Sequence, residues 1–540
     1  MRVVVVGGVA GGMSAATRLR RLLPDAEVVV LERDRYVSYA NCGLPYHVGG
    51  VIADRGDLLL QTPLGLGARF GLDVRVRSHV LSIDLSARRV LVRVLDTGEE
   101  YDLSWDRLVL SPGATPIVPD LPGIERALTL RTVPDADRIV AALADGRPRS
   151  AVVVGGGFIG VEMAENLRRR GLDVTIVELA DQVLAPLDPE MVTPVHTELR
   201  AHGVELVLGT GLGKVLPEAV ELADGRMLPA DLVVLAIGVR PETRLAREAG
   251  LAIGGRGGIV VDTQMRTSDP QVFAVGDAVE KPDQIGGGLS LVPLANTANR
   301  QGRLVADVIA GRPVRLTGRI GTAIVRVFDV TVAVVGWNEQ RLRAAGRVYQ
   351  AIHTHPASHA GYYPGAEVMA LKLLYDPADG SILGAQVVGG AGVDKRIDII
   401  ATAMRGGLTA EDLADLELAY APPFGSAKDP VNMLGYIAEN LRTATAATVQ
   451  YYELSAALEG DAHLIDVRTA QEYAAGHIPG ALNLPVDELR IRSGHLPDGN
   501  LVVYCQVGQR GHVATTLLAG AGRTVANLDG GYRTWLAGQG

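Results

Sequence analysis

The sequence predicts an α/β chain of several domains, two of them built on parallel sheets. Three observations carry the prediction. Two all-apolar runs, Val3–Val6 and Ala151–Val154, read as strands buried on both faces, the habit of a parallel sheet. Each run enters a glycine cluster that opens a segment with helical spacing of apolar residues. A second apolar run follows each helix, Val28–Leu31 and Val174–Val177, and ends at an acid, Glu32 and Glu178. With 540 residues the chain has room for roughly three to four domains.

In the first unit the glycine cluster is Gly7-Gly8-Val9-Ala10-Gly11-Gly12, and the helix runs from Met13 to Leu23. Strand, glycine turn, helix, strand and acid together make a dinucleotide-binding pattern. The glycines let backbone N–H groups and the helix N-terminus meet a pyrophosphate, and the acid takes a ribose hydroxyl. Val9 replaces the middle glycine of G-x-G-x-x-G. Glycine-rich strand–helix turns also occur without a ligand; the strand before this one and the acid after it favour the nucleotide reading. In the second unit Gly155-Gly156-Gly157-Phe158-Ile159-Gly160 fits the motif in full. Its helix runs to Gly171, and Glu178 stands near the spacing of about 20 residues that the motif expects. A glutamate there suits the 2′-hydroxyl of NAD and repels a 2′-phosphate. No arginine follows it directly, so NADH is expected over NADPH. Two such units imply two dinucleotides.

The segment Ser38-Tyr39-Ala40-Asn41-Cys42-Gly43-Leu44-Pro45-Tyr46 holds one of only two cysteines in the chain. Its glycine and proline allow a sharp turn and close approach to the thiol. A lone cysteine is either a small buried hydrophobe or a redox thiol; the nucleotide units around it favour the thiol. Two cysteines make no disulfide framework, which points to a reducing compartment. The composition, 47% hydrophobic and 21% charged, is that of an ordinary globular protein, and the net charge of −9 gives no reason to expect nucleic acid. Val3–Val6 runs at once into glycines and is too short for a signal h-region. No run approaches the ~18 apolar residues of a membrane span. A cytoplasmic protein is expected, without membrane or nucleic-acid partners and without a metal site.

Three further segments stand in order with the glycine turns: Leu108-Val109-Leu110-Ser111-Pro112-Gly113-Ala114, Leu235-Ala236-Ile237-Gly238-Val239-Arg240-Pro241, and Ala274-Val275-Gly276-Asp277. Together these motifs resemble the FAD-dependent pyridine nucleotide–disulfide oxidoreductases over residues 1 to about 445. The resemblance implies an FAD domain of residues 1–112 and 240–315, split by an NAD domain of residues 113–239. It makes the first two segments the crossovers and puts Asp277 on the ribityl chain of FAD. Members commonly carry a C-x-x-x-x-C or C-x-x-C pair, whereas Cys42 has no partner nearby. A single thiol must pair with an outside sulfur or cycle through a sulfenic acid.

Ser38 to Tyr46 is similar to the S-[FY]-x-x-C-[GA]-x-P-Y pattern of the single-cysteine branch: coenzyme A disulfide reductases, NADH oxidases and NADH peroxidases. The oxidases and peroxidases carry a histidine where Ala10 stands here. Arg18 and Arg21, at i and i+3 on the first helix, share a face. They form either a solvated face or, as the resemblance implies, a channel wall where cations meet coenzyme A phosphates. His359-Ala360-Gly361-Tyr362-Tyr363-Pro364-Gly365 and Leu418-Ala419-Tyr420-Ala421-Pro422-Pro423-Phe424 resemble the branch's dimerisation domain, here residues 316–442. Two tyrosines of the partner subunit reach the cysteine in those enzymes, and Tyr362 and Tyr420 match them. A phenol so placed can give a proton to a leaving thiolate; ordinary interface tyrosines are the other reading. By the same resemblance, cofactor contacts fall on Gly7, Val9, Ala10, Gly12, Glu32, Arg33, Asn41, Gly113, Gly157, Ile159, Gly160, Glu162, Glu178, Gly238, Asp277, Ala295 and Phe424, with Glu162 near the nicotinamide. Substrate contacts fall on Ser14, Arg18, Arg21, Ser38, Asn41, Asn299 and Lys428.

Residues 443–449 are small and mixed in character, as in a linker. Beyond them Leu464-Ile465-Asp466-Val467-Arg468, Glu472-Tyr473 and Gly476-His477-Ile478-Pro479-Gly480-Ala481-Leu482-Asn483 resemble a rhodanese domain over residues 450–540. The apolar strand Leu501–Tyr504 ends at Cys505, and Cys505-Gln506-Val507-Gly508-Gln509-Arg510 opens a helix. Such a loop can aim backbone N–H groups at the sulfur, with the helix N-terminus adding positive potential. Both favour a thiolate or persulfide anion. The six residues from Cys505 to Arg510 fit the sulfurtransferase form, and the resemblance puts Arg510 with Cys505 among the catalytic residues. An inert regulatory module is the alternative, though modules of that kind commonly lack the cysteine.

The expected whole has an α/β fold: two Rossmann-like domains for FAD and NAD, an α+β dimerisation domain, and a C-terminal rhodanese α/β domain. The expected function is a homodimeric flavoprotein that uses FAD and NADH. It reduces coenzyme A disulfide, coenzyme A persulfide or polysulfide at Cys42, while Cys505 handles sulfane sulfur. The alternatives are an NADH oxidase that reduces oxygen through a Cys42 sulfenic acid, and a redox-sensing flavoprotein that acts through partners.

Overall fold

The computed structural model describes residues 1–144, 146, 148–314 and 317–539. The expected domain boundary at 315/316 and the last residue, 540, lie outside the described residues. The chain forms two compact units. One comprises Met1–Asp181 and Gly203–Arg319, the other Gln182–His202 and Ile320–Gly540.

The first unit holds two five-stranded parallel sheets. In the first, β1 (Arg2–Val6) lies between β2 (Glu27–Leu31) and the strand Arg107–Leu110, with Val272–Ala274 and Asp73–Arg75 at the edges. Val3 faces Val28 and Val5 faces Val30 across the ladder. Both faces are covered, so every residue from Val3 to Val6 is buried. Arg107–Leu110 and Val272–Ala274, which lie on either side of the second sheet in the chain, therefore pair in one sheet. Helix α1 (Ala10–Leu22) leaves β1 through the glycine turn and buries Met13, Ala15, Ala16 and Leu19. The second sheet repeats the device with β3 (Ser150–Val154), α2 (Phe158–Arg169) and β4 (Asp173–Val177). Its strands run in the order Val204–Val207, β4, β3, Leu232–Leu235, Leu128–Thr129. The short antiparallel pair Ala114–Pro116 and Val239–Pro241 joins the two crossings of the chain.

The second unit holds one antiparallel and one parallel sheet of five strands each. The antiparallel sheet runs Ala323–Val327, Val330–Gly336, Ile382–Gly389, Ala370–Tyr375 and, at the edge, β5 (Gln350–Thr354). The parallel sheet runs Thr448–Val449, Val525–Leu528, Leu501–Tyr504, His463–Asp466 and Leu482–Asn483. Its central strands are β6 (Leu501–Tyr504) and β7 (Val525–Leu528), and helix α3 (Gln509–Gly520) follows β6. Thr448 and Val449, read from sequence as linker, pair with β7 and are already part of this sheet. Two residues are too few to show a period, so the strand leaves no trace in the sequence. Among the described residues no helix is long and apolar enough to cross a membrane.

Candidate active sites

The redox segment is tied to the first glycine turn. Ser38 N–H donates to the Gly8 carbonyl at 2.9 Å, and Ser38 takes φ +47°, a left-handed conformation uncommon outside glycine. A 3-10 turn, Asn41–Gly43, carries Cys42 into the short helix Leu44–Val48, which is anchored by buried Leu44, Pro45 and Val48. Cys42 itself is exposed, with its thiol 3.8 Å from Asn41 Oδ1. Protein packed round the sulfur, and then the Glu162 carboxylate, push the thiol above its ordinary range. Arg131 acts in the opposite sense. Glu162, on α2, accepts a hydrogen bond from Tyr46 Oη at 2.9 Å. Burial raises the Glu162 carboxyl, against the effect of that hydrogen bond.

The two glycine turns are built alike. Glu32 accepts from Gly8 N at 2.7 Å and Asp34 N at 2.8 Å; Glu178 accepts from Gly156 N at 2.6 Å and Ala180 N at 2.9 Å. Each acid at a strand end thus grips its own turn. A Cβ on Gly12 would lie 1.9 Å from Gly7 O, and one on Gly160 would lie 1.9 Å from Gly155 O, so glycine alone permits both helices to close on their strands. A Cβ on Gly157 would meet nothing within 4 Å, which leaves open space at the N-terminus of α2. These are the three duties of the dinucleotide motif: a tight turn, an open approach and close packing. The residues present fit FAD at the first turn and a nicotinamide dinucleotide at the second.

Asp277 does not stand alone. Arg131 Nη2 lies 2.6 Å from its Oδ2, and the same guanidinium borders Gly113. Arg131 was not foreseen: it belongs to no local motif, and its partner is 146 residues away. Ser14 Oγ donates to Asn299 Oδ1 at 2.7 Å, which joins two expected substrate residues. Ala295 is the first residue of the helix Ala295–Ile309, Gly238 takes φ +107°, and Val9, Ala10 and Ile159 border the turns. Arg33 is exposed. The Arg18–Arg21 pair is divided. Arg18 is held by Asp307 at 2.8 Å, largely out of solvent, so its charge is already met; Arg21 is exposed on the same helix. The shared cationic face expected from the i, i+3 spacing thus offers one outward cation there; Asp307 is too far away in sequence for spacing to reveal it as a partner.

In the second unit Tyr362 and Tyr420, 58 residues apart, share a hydrogen bond between their hydroxyls at 3.1 Å. That bond holds the Tyr362 phenol above its usual range. Their loops are joined by Ala360 N donating to Gly425 O at 2.9 Å. Tyr362 is 76% exposed, Tyr420 49% and Phe424 71%, an unusual amount of aromatic surface to leave in water. Lys428 is exposed beside Asp429, which is buried against Arg396 at 2.9 Å.

Cys505, at the end of β6, is fully buried among Ile465, Val467, Val503 and Ala514. The loop turns back at Gly508, φ +92°, and α3 begins at Gln509. Arg510 forms a bidentate pair with Glu472 at 2.6 and 2.8 Å. Chiefly that pair, and more weakly the Cys505 sulfur, hold the guanidinium above its usual range. Arg510 holds the Glu472 carboxyl down at about 2. The sequence motif that contains Glu472 gives it no role; the structure makes it the anchor of Arg510.

Residues 1–302 match the model of the pyridine nucleotide-disulphide oxidoreductases, residues 322–430 that family's dimerisation domain, and residues 450–538 a rhodanese-like domain. The chain belongs to the pyridine nucleotide-disulphide oxidoreductase family and carries a rhodanese-like domain. It is 34% identical over 441 residues to the coenzyme A disulfide reductase of Staphylococcus haemolyticus, covering 82% of this chain and 100% of that one. Among solved structures, the reduced CoADR-RHD of Bacillus anthracis is similar at 48% identity and a TM-score of 0.98, covering 99% of this chain and 98% of that one. The NAD-dependent persulfide reductase of A. fulgidus is similar at 37% identity and a TM-score of 0.92, covering 99% and 100%.

Proposed function

We propose that this chain is a homodimeric FAD- and NADH-dependent reductase of coenzyme A disulfide, coenzyme A persulfide or polysulfide, with a sulfurtransferase domain that loads sulfane sulfur on Cys505. The observation that carries this is the pair of unlike thiols. Cys42 is exposed beside the first nucleotide unit, and Cys505 is buried in an arginine-bearing loop. The first three domains then follow the proposed ranges 1–112 with 240–315, 113–239 and 316–442.

Cys42 thiolate attacks one sulfur of the substrate. A Cys42–sulfur bond forms, the substrate S–S bond breaks, and the leaving thiolate departs with the electron pair. Tyr362 and Tyr420 of the partner subunit supply its proton. FAD and NADH, when bound, supply the two electrons that later return Cys42 to thiolate. Glu32 and Asp277 hold the FAD ribose and ribityl hydroxyls, Arg131 fixes Asp277, and Glu178 holds the ribose of NADH. Ser14, Asn299, Arg21 and Lys428 meet the coenzyme A portion. At Cys505 the thiol gives up its proton and attacks the outer sulfur of a donor persulfide. One S–S bond forms and one breaks, and the donor leaves as a thiol with no net oxidation. Ala10, in the turn where related oxidases carry histidine, argues against oxygen as acceptor.

Anaerobic NADH consumption with coenzyme A disulfide, coenzyme A persulfide and polysulfide in parallel tests the reading. Turnover with at least one is expected. No anaerobic turnover with any of the three, with NADH consumed once oxygen is admitted, overturns it.

A further inference from the structure

The edge strand β5 buries a histidine that this chemistry does not use. His353 is enclosed, and each ring nitrogen meets a carboxylate: Nδ1 with Asp529 Oδ2 at 2.6 Å, Nε2 with Glu190 Oε1 at 2.9 Å. Its backbone N–H donates to the same Asp529 oxygen at 2.9 Å. With acceptors at both nitrogens, the ring carries both protons. Glu190 is shared with the Lys372 ammonium, which also contacts Asp188 at 2.8 Å and Glu339 at 2.6 Å. Asp529 follows β7 of the rhodanese sheet, so a fully buried ion pair links that sheet to the antiparallel one.

Asp529 also opens a turn that is built onto the Cys505 loop. Tyr532 N donates to Cys505 O at 2.8 Å and Arg533 N to Gln506 O at 3.1 Å. Gly530 and Gly531 both take left-handed φ, +65° and +64°. A Cβ on Gly530 would lie 2.8 Å from His353 Cβ, and one on Gly531 2.4 Å from Cys505 O. One short turn therefore touches the histidine on one side and the sulfur loop on the other.

We propose that His353 and Asp529 are positioning residues for Cys505: the doubly bonded imidazole fixes the Asp529–Tyr532 turn, and the turn fixes the loop from which Cys505 accepts sulfur. This rests on the sulfurtransferase reading of Cys505. Removing one partner of a buried ion pair leaves the other charge uncompensated, so the turn does not keep its place without the histidine.

The device is pH-dependent, with a definite sign. Burial alone would lower the His353 pKa; Asp529 first, then Glu190, overcome this and raise it to about 9, with Lys372 opposing. A raised histidine stabilises fully below its unfolded pKa and loses that contribution as pH climbs through the folded one. Three neighbouring groups, His355, Tyr451 and Lys372, are shifted away from that window. His355 is held down to about 3 by burial, then by His353 and Arg533. Burial and Glu190 push the Tyr451 phenol, bound to Glu190, above its usual range. The surrounding carboxylates, Glu190 first, raise Lys372 further against its own burial.

The test follows sulfur loading of Cys505 from polysulfide by mass spectrometry on the full chain, with Cys505→Ser as blank. His353→Gln and Asp529→Asn should each slow loading about tenfold at neutral pH. NADH-linked reduction of coenzyme A disulfide should be unchanged. The ratio of wild-type to variant rates cancels the ordinary pH response of thiol and donor, and it should fall to one above pH 9. A ratio near one at neutral pH, or one that ignores pH, overturns the proposal. Hydrogen exchange of residues 527–533 in the wild type at pH 7 and pH 10 covers the cases where variants fail to fold or wild-type Cys505 takes no sulfur. Protection lost as pH passes 9 upholds the clamp even if the sulfurtransferase reading falls; unchanged protection removes the clamp.

Discussion

Two glycines three residues apart should respond to the same methyl group in opposite ways. At Gly157 the backbone is extended, φ −73° and ψ −174°, which alanine adopts freely, and among the described residues nothing beyond its chain neighbours lies within 4 Å of the added Cβ. Gly157→Ala should therefore leave stability unchanged or raise it by about 0.4–1 kcal/mol through the unfolded chain. At Gly160 the Cβ would lie 1.9 Å from Gly155 O, a backbone atom that cannot step aside unless α2 shifts off β3. Gly160→Ala should cost about 1–3 kcal/mol of overpacking. Function should divide differently. If the space before Gly157 is where the dinucleotide pyrophosphate approaches, its methyl group intrudes on the ligand. A clash of the same 1–3 kcal/mol would raise KM for NADH by about 5–150-fold. Flavin content should stay full in both variants, because the first glycine turn is untouched. Flavin release on heating gives stability, and anaerobic steady-state kinetics gives KM. A Gly157→Ala protein with normal KM for NADH would refute the placement of NADH at this turn, however stable it proved.

The other predictions concern the thiols, the tyrosines and the choice of nucleotide. Cys42→Ser should leave flavin bleaching by NADH intact and abolish disulfide, persulfide and polysulfide reduction, as followed by stopped-flow absorbance; retained turnover would move the chemistry away from the thiol. Tyr362→Phe and Tyr420→Phe should each lower kcat about 10²-fold, the lower end for a general acid, with little change in KM; normal kcat in both would leave them as packing. NADH should exceed NADPH in kcat/KM, and Glu178→Ala should narrow the gap by raising KM for NADH; equal use of both by the wild type would mean that Glu178 does not face the ribose. Incubation with polysulfide should add sulfur to Cys505, while coenzyme A disulfide should modify Cys42 alone, both read by peptide mass spectrometry.

What could be read from the sequence was local. Strand, glycine turn, helix and acid lie within some 30 residues, and so the place of Glu32 and Glu178 at the strand ends beside the turns was legible in the sequence. The Cys42 segment and the Cys505 loop are likewise short contiguous texts. Residues that act through distant partners left no such mark. Arg131 meets Asp277 across 146 residues, Tyr46 meets Glu162 across 116, and Arg18 loses its expected freedom to Asp307 across 289. His353 and Lys372 were harder still. A charged residue in a strand buried on its inner face contradicts apolar patterning, and only the assembled cluster explains it. Tyr362 and Tyr420 were placed by resemblance; their hydrogen bond is a matter of two loops folding side by side.

The two thiols differ in the room they offer, and this separates the chemistry each can serve. Cys42 is at the surface, so a mixed disulfide with a substrate as bulky as coenzyme A can form there without moving the fold. The sulfur is nonetheless poorly activated: protein packed round it and then Glu162 hold the proton on, while Arg131 works the other way. A site of that kind depends on nearby acids and bases to manage the proton of each half-reaction, the duty proposed for the two tyrosines. Cys505 is set in an apolar cluster with no exposed surface of its own. A mixed disulfide with a large thiol would need the loop to unfold, whereas a persulfide adds one sulfur atom, and Arg510 already faces the sulfur. The buried thiol is therefore suited to carry one sulfur and the exposed one to open S–S bonds of any size, which gives a reductase reason to keep both.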